Sequence, residues 1–348
     1  MIAAGSSEWV EVQMVTASEI QPPLGLRIPL PVGEWLPDET IFSLASRHHV
    51  VACNRRGSDT CMQLFGHARV GSKHDVPSRL DTFVARTGGQ LGSVEEIVFE
   101  RTILPLYFPL TSKERMEDII RTVRDTMTGS LRYPLYMLLN RFSAVHPLKA
   151  CEQCIDEDVK QFQVAYWHRA HQYPGVWICP THNRELREIT MSIGRSRGYG
   201  WSLPRKEHFA RASNTCSLAS VEPDRTVLLC RLAFAAAALA ALTPNVFIEK
   251  ERAVRTYRNR LIALGMRSTS GELQLSRCVT SVLEAAMPLR SVPELLALPA
   301  NERQARAYIM RLTWLPVQNM HVLLHLFSIV WLFRNWNCFW DSYLTCTG

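Results

Sequence analysis

The chain has 348 residues, 47% of them hydrophobic and 20% charged, enough to bury a sizeable core. That composition excludes a mainly disordered chain, a collagen and a coiled coil. Lys and Arg exceed Asp and Glu by 39 to 32, a formal +7 that points mildly to an acidic partner, nucleic acid first.

The charge is uneven. Residues 1–225 carry 26 basic and 25 acidic side chains, whereas residues 226–348 carry 13 and 7, so +6 of the +7 lies in the last third. Ten cysteines are too sparse for a disulfide scaffold. The first eight residues have neither the basic nor the apolar region of a secretory signal. The longest apolar stretches, 227–242 and 320–333, fall short of the ~20 residues needed to span a bilayer. A cytoplasmic protein with no membrane contact is expected, and its cysteines become candidate metal ligands.

In chain order, residues 1–32 read as an extended lead-in, with Pro22-Pro23 and Pro29-Leu30-Pro31 as breaks. A helix is predicted from Asp38, with Asp38 as its cap and Ile41, Leu44 and Ala45 on one face. A second helix ends at Gly66, a third covers 78–84, and Ser93 with Glu96 forms a capping box for a fourth. A fifth spans 112–127. These make a helical, helix-turn-helix-like domain over 33–145, expected to serve mainly protein contact. Residues 146–192 form a metal module and 193–225, rich in Gly, Ser, Arg and Pro, a linker. An Ala-rich buried helix at 227–242, a basic helix at 250–264 stopped by Gly265, and a further helix at 273–286 build a basic helical domain over 226–348. The fold class is mostly α.

Cys151-x2-Cys154 is followed, 24 residues on, by Cys179-x2-His182. Zinc prefers four tetrahedral N/S ligands, and a two-residue gap lets one knuckle present two of them. Cys151, Cys154, Cys179 and His182 are therefore expected to hold one structural Zn2+, with no open position for catalysis. His168 and His171, between the pairs, are expected to hydrogen-bond or pack nearby rather than to ligate. Trp167 and Tyr173 are expected to fill the module's core.

The run Tyr166-Trp167-His168-Arg169-Ala170-His171-Gln172-Tyr173-Pro174-Gly175-Val176-Trp177-Ile178-Cys179-Pro180-Thr181-His182, after Cys151-x2-Cys154, resembles the zinc module of the TniQ/TnsD family. Leu36-Pro37-Asp38-Glu39 with Ser43 and Arg47, Leu64-Phe65-Gly66, and Thr102-Ile103-Leu104-Pro105-Leu106-Tyr107 agree with it. The resemblance covers about 33–190 well. It is weaker over 250–333, where Tyr257-Arg258-Asn259-Arg260-Leu261 is similar to the C-terminal helix-turn-helix region of TnsD-like members. Glu152 departs from the Pro that often follows the first Cys. TnsD-like members usually extend further, so a truncated or frameshifted C-terminal part is one expectation.

The resemblance implies a target-site selection protein of a transposon with a multi-subunit transposase. It would bind double-stranded DNA and recruit the transposon AAA+ ATPase and transposase complex. An adaptor of an RNA-guided effector complex and a zinc-bearing transcription regulator are the alternatives, and homodimerisation stays open. No catalytic residues are expected: no His is followed two places later by Glu, as a zinc deaminase needs, and no phosphate-binding Gly-Lys-Ser/Thr loop occurs. Lys250, Arg252, Arg255, Arg258 and Arg260 lie on neighbouring turns of one basic helix, and are expected to contact phosphate. The helix after Gly271, around 274–277, is expected to approach the groove.

Overall fold

The computed structural model describes residues 31–70, 74–125, 131, 134–137, 142, 146–189, 200–209, 223–267, 272–314 and 319–346. The lead-in 1–30, most of the linker 193–225 and the end of the fifth predicted helix lie outside them.

α1 (Ile41–Val51) is capped by Thr40, whose hydroxyl accepts the Ser43 amide at 3.1 Å. Asp38 is not its cap. At φ +53 the chain turns away there, and the Asp38 carboxylate instead accepts the Ala170 amide at 2.8 Å, in the first turn of α7 (Arg169–Gln172). The residue caps a helix, but one 132 positions away along the chain.

α2 (Gly57–Phe65) stops at Gly66, whose φ of +70 is the left-handed conformation glycine adopts without penalty. α3 (Leu80–Arg86) begins two residues later than 78–84 suggests. α4 (Val94–Arg101) opens on the expected capping box, with Ser93 N–H donating to Glu96 Oε2 at 2.6 Å and Glu96 N–H to Ser93 Oγ at 3.2 Å. Such caps are worth about 1 kcal/mol each. α5 (Lys113–Asp125) lies against α3 and α4.

The metal module comprises β1 (Lys149–Ala150), α6 (Glu152–Phe162), α7 and β2 (Arg187–Glu188), with β1 and β2 antiparallel. The C-terminal part contains α8 (Pro223–Ala240), α9 (Lys250–Ala263), α10 (Leu275–Ala286), α11 (Glu302–Thr313), α12 (Val322–Phe333) and α13 (Trp336–Thr345). α12 is buried along most of its length, with α8, α9 and α13 packed against it. α13 carries its own cap. Asn335 caps it by accepting the Cys338 amide at 2.9 Å, and Trp336, Phe339 and Tyr343 turn inward.

No single helix among the described residues is long and apolar enough to cross a membrane. α12 and α13 pass a length-and-composition test only as a pair, and they are bent by 90°.

These parts interlock. α8 lies on the short turn Leu104–Leu106, and the Ile248 amide donates to Pro109 O at 2.7 Å. Within the predicted linker, Trp201 N–H donates to Gly57 O at 2.9 Å and its ring lies 5.2 Å from Phe42. From Pro31 onward the chain forms one compact unit.

Gly175 packs directly on α12. Its φ is +76, and a Cβ there would lie 2.5 Å from Leu323 Cδ2, itself buried. Gly175→Ala is expected to cost about 1–3 kcal/mol through backbone strain and overpacking. Thermal denaturation would show it as a lowered Tm; an unchanged Tm would mean that α12 yields without penalty.

Candidate metal centre

The four sequence-predicted ligands converge. One ligand atom from each of Cys151, Cys154, Cys179 and His182 lies within 4.8 Å of the others. His182 Nδ1 is 3.5 Å from Cys151 Sγ, 3.3 Å from Cys154 Sγ and 3.6 Å from Cys179 Sγ, and the Cys154 and Cys179 sulfurs are 3.7 Å apart. Metal bonds of about 2.3 Å to sulfur and 2.0 Å to nitrogen give a tetrahedron with edges of about 3.8 Å and 3.5 Å. The three sulfur–nitrogen edges and the Cys154–Cys179 edge match these lengths.

Local folding explains the convergence. Cys151 caps α6, so Cys154 falls in its first turn and both sulfurs face one side. The second pair sits on a turn closed by the Asn183 amide donating to Cys179 O at 2.9 Å and the His182 amide pointing at Cys179 Sγ at 3.4 Å. The β1–β2 pairing brings the two turns together.

Electrostatics favour a bound cation. Hydrogen bonds from Cys154 and Cys179 hold the Cys151 thiol low, while the Cys151 sulfur pushes the Cys154 thiol up. Three adjacent sulfurs cannot all ionise unless a positive charge lies among them, which a metal ion supplies.

The surroundings are also those of a metal site. His182 Nε2 is 3.0 Å from Glu157 Oε1, so a carboxylate orients the ring from its far side. Glu157 escaped the sequence reading, although it lies three residues after Cys154 on α6, a spacing that shares a helix face. His171 Nε2 lies 3.8 Å from Cys154 Sγ, and burial lowers its pKa to about 3, so the ring is neutral. His168 Nε2 pairs with Asp158 Oδ2 at 2.9 Å. Neither histidine joins the cluster of four. With four protein donors, an ion held here would keep no open position for substrate.

The segment between the two pairs fills a shared core rather than one of its own. Trp167 is fully buried; its amide donates to Ser43 Oγ at 2.9 Å and its indole N–H to Ser202 O at 2.7 Å. The Thr40 amide donates to Trp167 O at 3.1 Å. Glu39, with no solvent exposure, accepts a two-pronged contact from Arg47, Nε to Oε1 at 2.8 Å and Nη2 to Oε2 at 2.6 Å, and also the Leu36 amide at 3.0 Å. The Leu36-to-Arg47 motif thus forms the joint between α1 and the metal module.

A second joint was not foreseen. Glu294, from the turn Pro293–Leu295, reaches into the module. It accepts from Lys149 Nζ at 3.0 Å and Trp177 Nε1 at 2.7 Å, and its other oxygen lies 2.9 Å from His146 Nδ1. Burial opposes its charge, but Lys149 and His146 outweigh that and bring its pKa to about 2.

The basic helix, α9, is only partly free to meet a ligand. Lys250 Nζ donates to Asn319 Oδ1 at 2.6 Å. Arg252 donates to Leu344 O at 2.5 Å and lies over Tyr343, while Arg260 donates to Leu332 O at 2.9 Å and lies over Phe333. Arg255 is half-buried and Arg258 is exposed. Residues 264–274 separate α9 from α10, a longer connection than the 3–4 residues usual in a helix-turn-helix. On α10, Gln274, Ser276 and Arg277 face solvent, and Arg277 donates to Gly265 O at 3.0 Å.

Residues 33–186, which hold the Leu36-to-Arg47 motif and all four cluster residues, match the TniQ family model. Over 172 residues the chain is 26% identical to the transposon Tn7 transposition protein TnsD of Escherichia coli, an alignment covering 49% of this chain and 34% of that protein. The chain therefore spans about a third of the length of that relative. The motif order, the Cys3His cluster and these two matches agree, and they make residues 33–186 similar to the TniQ family.

Proposed function

We propose that this chain is a non-catalytic target-site selection protein of a Tn7-like transposon, that it binds target DNA directly, and that it recruits the transposon AAA+ ATPase and transposase complex. One observation carries the reading: the segment that matches the TniQ family is the same segment in which the α1 motif and the Cys3His cluster are built into one joint. The relative's name ties such a segment to transposition. The ion is Zn2+, because three thiolates and one imidazole in a closed tetrahedron suit a borderline-soft ion without geometric preference. Action in the cytoplasm, on the nucleoid, follows from the DNA substrate.

In this reading the phosphate contacts on α9 fall chiefly to Arg258 and Arg255, since Lys250, Arg252 and Arg260 already hold internal acceptors or rings. Fluorescence titration of the purified chain with a labelled duplex, at two salt concentrations and with and without the ATPase, tests it. Binding is expected to fall steeply with salt, and Arg258→Ala to lower the log–log slope by about 0.9. Arg252→Ala should instead lower Tm. Flat salt dependence with intact ATPase recruitment would remove direct DNA binding and leave the adaptor of an RNA-guided complex.

A further inference from the structure

We infer that the outward face of α2 is a second DNA-contacting surface, which seats in a major groove with arginines on both rims. This rests on the reading that the chain binds duplex DNA directly.

α2 buries Thr60, Cys61, Leu64 and Phe65, which leaves a face carrying Arg56, Asp59, Met62 and Gln63 toward solvent. At its start stand Arg55 and Arg56, both exposed, the latter with 79% of its side chain open to solvent. At its end stands Arg86 of α3, whose guanidinium donates to Met62 O at 3.0 Å and Gln63 O at 3.3 Å. Arg86 therefore holds its charge at the C-terminal end of α2. Arg69, also exposed, follows three residues after the Gly66 stop.

The nearby carboxylates are already neutralised. Asp59 pairs with Arg56 at 3.2 Å and Asp81 with Arg124 at 2.7 Å. Among the described residues, Arg55 and Arg69 have no side-chain hydrogen bond or ion pair.

The spacing favours a duplex over an acidic peptide. Nine helical residues span about 13.5 Å. A B-DNA major groove is about 12 Å wide. A helix is about 10–12 Å across with its side chains, so α2 can lie in that groove, with Arg55 and Arg56 at one end and Arg69 and Arg86 at the other near the flanking phosphates. The last turn of that face presents Gln63, whose amide is locked against Asn54, with N–H to O distances of 2.7 Å and 3.2 Å, and whose oxygen is 2.9 Å from His48 Nε2. These bonds fix the amide plane and leave Gln63 one N–H for a base-edge acceptor, between two arginine-bearing ends.

The test is titration of a labelled duplex, at several salt concentrations, by the full chain and by two variants. Arg55→Ala/Arg69→Ala removes two exposed side chains with no internal bonds. Arg258→Ala removes the exposed α9 cation. The double variant is expected to keep the wild-type Tm, bind more weakly on every sequence, and lower the log–log salt slope by roughly 1.8. A double variant with wild-type affinity and slope, beside a weakened Arg258→Ala, would overturn the α2 surface and leave DNA binding standing. Intact DNA binding but lost capture of the ATPase would overturn it too, and make the face a protein dock. Absence of salt-dependent duplex binding by the unmodified chain would remove both this surface and the direct DNA reading.

Discussion

Cys154→Ser is expected to lose the bound metal and, with it, the fold of residues 146–189. The unmodified chain should carry one zinc per molecule. The binding energy of a structural zinc site is folding energy, about 10–16 kcal/mol in isolated zinc-finger peptides, and that rivals the whole stability of a typical domain. Cys154 is well placed to show this, because its sulfur lies within 3.8 Å of Cys179, His182 and His171 together. The damage should spread beyond the module, since Trp167 and Ala170 hold the residues that begin α1. Elemental analysis of purified protein, with Tm alongside, is the check. Equal zinc in both proteins would sink the assignment.

Glu294→Ala is expected to be the most damaging substitution outside the cluster, costing about 3–5 kcal/mol. It leaves the Lys149 ammonium, fully buried, with Tyr173 O at 3.0 Å, the Trp177 ring and the weaker pull of the Glu188 charge. It also strips the Trp177 indole of its acceptor. The joint has a pH signature. The folded-state pKa of Glu294, about 2, lies below its ordinary value of 4.5, so its contribution is present above the ordinary value and is lost as pH falls from 4.5 toward 2. The difference in stability between the unmodified chain and Glu294→Gln should therefore shrink over that window. Because thiolates also take up protons and release metal in acid, the comparison belongs at matched metal content. A difference that stays constant down to pH ~2 would mean that Glu294 is not held as a carboxylate.

The Cys3His cluster was legible because its signal is local. Each pair is separated by two residues, a spacing that one turn or the first turn of a helix turns into adjacent donors, so Cys151, Cys154, Cys179 and His182 could be named without coordinates. The Ser93–Glu96 box, the Gly66 stop and the span of α9 were readable for the same reason. Caps and stops depend on backbone groups three or four residues away, and on little else.

Tertiary structure decided the rest, because it rests on groups far apart in the chain. Asp38 carries every mark of a cap for α1, yet it serves α7, since Thr40 is better placed and the Ala170 amide lies within its reach only after folding. The basic helix showed its charge in the sequence, but not that Arg252 and Arg260 spend theirs on Leu344 and Leu332 carbonyls and on the rings of Tyr343 and Phe333. Glu294 gave no sign at all. A single acid in a turn reads as solvated surface, and only the packing that places it against Lys149, 145 residues away, turns it into a buried joint. Sequence spacing determines which side chains a turn or helix presents; it does not determine which distant element arrives to meet them, and that arrival sets burial, and with burial the worth of each charge.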